Sequence, residues 1–64
     1  MMEEIVIISE TYAQSLVGIE YKENHYYNPV QLPDGRWFIS EIEAEFIDEN
    51  QIITITQYNF TNTD

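Results

Sequence analysis

The sequence predicts a mainly β domain, with α+β as the neighbouring class. Its expected form is a small antiparallel β-meander of three or four strands, a curled sheet or small barrel, with at most one short helix near residues 10–17. Three observations predict it. Residues 3–9 and 52–60 are dense in β-branched and aromatic side chains, the types that pack well on a pleated surface. The run Leu32-Pro33-Asp34-Gly35-Arg36-Trp37 carries hairpin chemistry between two apolar segments. And 64 residues allow one domain at most, here placed at residues 1–60 with 61–64 as a tail.

Each element follows from local chemistry. Residues 3–9 are β-branched and apolar and read as a buried strand. After it, Ser9 is an N-cap for a short helix whose Tyr12, Ala13 and Leu16 share a face, and Gly18 stops it. Two turns do not hold without tertiary packing, so a continued extended path competes with the helix. Residues 22–25 are polar and read as a loop, and 25–32 return to strand composition. Pro29 cannot donate to a ladder, which places it at a strand edge, a strand start or a bulge.

The turn at 32–37 is the sharpest local signal. Pro33 presets the first central position, Asp34 follows, and Gly35 is free to take positive φ; this builds a type I turn closed by a glycine bulge. Beyond it, Ser40-Glu41-Ile42-Glu43-Ala44-Glu45-Phe46 admits two paths. As a helix, Ser40 is the N-cap and Glu43 its capping-box partner. As a strand, Glu41, Glu43 and Glu45 form one wet face and Ile42, Ala44 and Phe46 the other. Glutamates two apart do not share a helix face, so the strict alternation favours the strand. Residues 48–51 then make a second turn before the last strand.

Charge sets the class of function. Twelve acidic residues against two basic ones give a formal net charge of −10, outside the magnitude of about 2–8 common for a small domain. Direct nucleic-acid binding needs Lys and Arg at phosphates, and only Lys22 and Arg36 are present. An anionic membrane surface is disfavoured for the same reason. No stretch has the length or flanking charge of a signal peptide or a membrane span, so a cytoplasmic location is expected.

Catalysis is poorly supplied. His25 is the one imidazole, there is no cysteine, and Gly18 and Gly35 do not make a phosphate loop. Asp48-Glu49-Asn50 lacks the spacing and glycine of a calcium loop, so neither metal nor cofactor is expected. The expectation is a non-enzymatic binding protein that occupies a basic surface of a protein partner. Its contacts are placed at Glu41, Glu43, Glu45, Asp48 and Glu49, with Tyr26, Tyr27 and Tyr58 as an exposed aromatic patch.

On a strand the three glutamates recur every ~6.7 Å, a crude stand-in for a phosphate backbone. In size and acidity the chain resembles the small phage-encoded inhibitors that block restriction or CRISPR enzymes by imitating DNA. That resemblance implies a nucleic-acid-binding protein as partner and assigns no residue. The competing expectation is a structural or assembly component that docks through a sheet edge or aromatic face, as a homo-oligomer or in a larger complex. On that view the glutamates only protect an edge.

Overall fold

The computed structural model describes residues 1–60; the expected tail, residues 61–64, lies outside them. The chain forms strand β1 (Met2–Ile8), helix α1 (Glu10–Leu16), the hairpin β2 (Glu20–Lys22) and β3 (His25–Tyr26), and then β4 (Val30–Gln31) and β5 (Trp37–Ser40). A single helical turn α2 (Glu41–Ala44), a 3-10 turn (Glu49–Gln51) and the strand β6 (Thr54–Asn59) complete it. The protein is thus β-rich with one short helix at the expected place. The order of the main sheet is β4-β5-β1-β6, all antiparallel, and β2-β3 forms a second, two-stranded sheet. The N-terminal strand therefore lies between the last two long strands, where a plain meander would have put it at an edge.

That central position follows from the apolar run. Ile5, Val6, Ile7 and Ile8 are all at most 3% exposed, and burying each contributes about 1.5–3 kcal/mol. Val6 and Ile8 face one side with Ile39, Ala13, Leu16 and Tyr27; Ile5 and Ile7 face the other with Leu32. Strand alternation splits β5 in the same way. Trp37 and Ile39 join the helix-side core, while Phe38 packs against Ile5 and Ile7 on the opposite face. Only a strand with neighbours on both edges and cover on both faces can bury four consecutive side chains.

The local signals at 9–18 and 32–37 fold as their chemistry dictates. Ser9 Oγ accepts from the Tyr12 amide at 3.1 Å, and Gly18 takes φ +84° just beyond the C-cap Val17. Ala13 and Leu16 are the buried residues of α1, so its amphipathic face, not its intrinsic propensity, holds it. In the β4–β5 hairpin the Gly35 amide donates to the Leu32 carbonyl (2.9 Å) and the Leu32 amide to the Arg36 carbonyl (2.7 Å), with Gly35 at φ +100°. This is the expected type I turn with its glycine bulge. The loop expected at 22–25 shrinks to Glu23 and Asn24, because Asn24 adopts φ +62° and its amide donates to Glu20 Oε2 at 2.7 Å.

One expectation is overturned. Residues 40–47 do not continue as a strand. Ser40 ends β5 and caps α2: its Oγ accepts from the Glu43 amide at 3.3 Å while Glu43 Oε1 accepts from the Ser40 amide at 3.0 Å. Burial runs opposite to the strand pattern. Glu43 is 7% exposed, whereas Ile42 is 56% and Phe46 51% exposed. Glu43 is stable there because its carboxylate is fully engaged. Oε1 also accepts from Ser40 Oγ (2.8 Å), and Oε2 accepts from the Asn28 amide (2.6 Å), tying α2 to the segment before β4.

Candidate functional site

The site arises where β5 stops. Ser40 is the last β5 residue paired to β1, opposite Ile5. From there α2 leaves the sheet, so Met2, Glu3 and Glu4 keep β6 as a neighbour and lose β5. The vacated space is a notch of about 300 Å³ lined by Glu3, Glu4, Ser40, Glu41 and Ile42. Its floor is the open edge of β1, and Ile42 gives it an exposed apolar wall.

The notch concentrates like charge. Glu4 and Glu41 come close enough to share a hydrogen bond, which holds the Glu41 carboxyl above its ordinary range, with the Glu4 charge acting in the same direction. Among the described residues no cation answers them. Arg36 is engaged at the other end of β5, where its Nε donates to Asp34 Oδ2 at 2.8 Å. The Arg36 amide, more than its guanidinium, holds the Asp34 carboxyl below the usual range. Lys22 lies over the Tyr21 ring, 5.9 Å from its centroid. The N-terminal ammonium donates to Asn59 Oδ1 at 2.9 Å.

The residues expected to meet a partner are dispersed. Glu41 lines the notch; Glu45, at the C-terminus of the same turn, is exposed; Glu43 points the other way and is consumed by its hydrogen bonds. No regular row forms, because a helical turn sends alternate residues to opposite sides. Asp48 caps the 3-10 turn by accepting from the Asn50 amide at 3.0 Å, and Glu49 is exposed beside it.

The three tyrosines do not make a patch. Tyr26 is 57% exposed, and Tyr27 is 8% exposed in the helix-side core. There burial, and next the neighbouring Tyr12, raises the Tyr27 phenol above its ordinary value. Tyr58 packs on the opposite face with Phe60 (ring centroids 4.9 Å apart), beside an apolar groove of about 330 Å³ that also includes Val30, Leu32 and Phe38. His25 sits on the β2–β3 hairpin with Nδ1 2.8 Å from the Glu23 carbonyl and its ring edge toward Tyr21.

Glu3, Glu4 and Ile42 were missed by sequence reasoning. The one signal was the adjacent acidic pair heading an apolar strand; nothing local indicated that residue 41 would return to it. Among the described residues no group of three or more His, Cys, Asp or Glu side chains is placed to hold a metal ion, and no helix is long and apolar enough to cross a membrane. No family model, curated protein or solved structure matches the chain.

Proposed function

We propose that this chain is a small acidic binding protein that seats its notch on a basic patch of a protein partner. The observation that supports it most is that Glu3, Glu4 and Glu41 line one notch with no cation paired to them among the described residues. Two carboxylates held together disfavour the charged state of the free protein, and a partner's Lys or Arg placed between them relieves that repulsion. The net charge of −10 steers a basic partner toward the molecule. Ile42 supplies an apolar contact at the rim. With the glutamate row absent, imitation of a regularly spaced phosphate backbone is no longer the basis for this function; a local anionic notch is. A partner whose basic surface normally holds nucleic acid remains the favoured class.

The test compares two triple variants that each remove three of the twelve carboxylates. Glu3/Glu4/Glu41→Gln removes the charge of the notch, and Glu10/Glu20/Glu23→Gln removes equal charge elsewhere. Proteins retained from a host lysate on the immobilised chain at about 0.05 M salt should elute at about 0.5 M, as screening shortens. The notch variant should lose them and the control should keep them. Equal loss from both would leave only non-specific polyanion binding.

A further inference from the structure

The edge of the main sheet formed by β6 carries no charged residue. Residues 50–63 are the longest run in the chain without Asp, Glu, Lys or Arg. β6 is its six-residue strand, Thr54–Asn59, and lies at the end of the order β4-β5-β1-β6, with no strand beyond it among the described residues. The opposite edge, β4, is two residues long and bracketed by Pro29 and Pro33, the usual protection against strand addition. β6 has no such protection: no proline, no charge, Ile55 53% exposed within it and Ile53, just before it, 64% exposed.

The ladder shows which backbone groups point away from β1. The Phe60 amide donates to the Met1 carbonyl at 2.9 Å. Alternation along an antiparallel pair then turns the backbone groups of Tyr58 and Thr56 toward β1 and those of Ile55, Gln57 and Asn59 outward. We infer that this edge pairs antiparallel with β6 of a second copy, joining two four-stranded sheets into one of eight strands.

A second copy is the occupant because two-fold pairing of β6 is self-complementary and neutral. With Gln57 on the axis, Gln57 meets Gln57 and Ile55 meets Asn59, using every outward group without opposing two carboxylates. The nearest acidic strand residues, Glu3 and Glu4, lie on β1. In the pair, the two β1 strands stand three strand spacings apart, about 14 Å. That exceeds the screening length of about 8 Å at physiological ionic strength and falls well inside the ~30 Å at 0.01 M. Dimerisation should therefore strengthen with salt, opposite in sign to binding at the notch. The notch opens on the other side of β1, so the dimer presents two of them.

Sedimentation equilibrium of the full chain at about 0.01 M and 0.3 M salt tests this, with Gln57→Lys as the variant. Gln57 is exposed, and the lysine lowers the net negative charge, so general repulsion cannot account for a loss. The wild type should be dimeric at high salt and dissociate at low salt. At about 0.3 M salt Gln57→Lys should weaken the dimer about two- to fivefold, since like charges opposite one another across strands are unfavourable. On the wild type, exchange of the Ile55, Gln57 and Asn59 amides should slow as protein concentration rises. A monomer at every salt and at concentrations up to about 1 mM, within the range of weak association, overturns the inference. So does a dimer untouched by Gln57→Lys. The notch variant Glu3/Glu4/Glu41→Gln should keep the high-salt dimer and hold it together at low salt as well, so loss of partner binding and loss of self-pairing are read separately.

Discussion

Replacing Glu43 with alanine should separate three glutamates that look equivalent in the sequence. Glu43 accepts from the Ser40 amide, the Ser40 hydroxyl and the Asn28 amide at 3.0, 2.8 and 2.6 Å. Removing its side chain leaves two partly buried backbone donors without this acceptor, at about 1–3 kcal/mol each. Partial access of water brings the expected loss to about 3 kcal/mol. A domain of this length has a total stability of roughly 3–10 kcal/mol, so Glu43→Ala removes a third of it or more. In thermal denaturation followed by circular dichroism, Tm should fall by about 12–24 °C. Glu43→Gln, which keeps one acceptor oxygen, should fall in between. Glu45→Ala, on an exposed residue two positions along, should stay within about 0.5 kcal/mol of the parent. Equal, small effects at 43 and 45 would show that the capping box and its bond to Asn28 do not hold this corner, and would revive the wet-faced strand.

Two further outcomes follow from the same geometry. The Glu41 carboxyl is raised by its hydrogen bond with Glu4. A folded-state value above the unfolded one means that its favourable contribution is present below the ordinary carboxylate range and lost as pH rises through the raised value. Glu41→Gln should therefore raise Tm at pH 7 relative to the parent and lose that advantage near pH 4; a constant gain at both would indicate another cause. Gly35→Ala tests the hairpin. An added Cβ would meet nothing within 4 Å, so its cost is conformational alone, about 1–2 kcal/mol from φ +100°, measured by urea denaturation. No loss would mean that the turn relaxes without its glycine bulge.

Where the sequence was informative, the cause was local. Ser9, Gly18 and the Pro33-Asp34-Gly35 turn act through their own backbone geometry and hydrogen bonds to near neighbours, and each folds as its chemistry requires. The buried strand was legible because four consecutive apolar side chains leave few alternatives. Residues 40–47 were ambiguous because two local codes overlap there: a capping box and a period-two alternation. The alternation was misleading because its apolar members, Ile42 and Phe46, end up half exposed.

The amino-acid order by itself determined a β-rich domain, its helix, its hairpin and a net charge of −10. Tertiary structure decided the rest. Glu43 chooses between strand and helical turn through Asn28, fifteen residues away in sequence. Glu4 becomes a site residue only when β1 enters the sheet and Glu41 returns beside it. β6 becomes an unprotected edge only because β1 takes the central place. Such properties depend on which segments become neighbours, and the close balance between burial and chain entropy settles that for the whole domain at once.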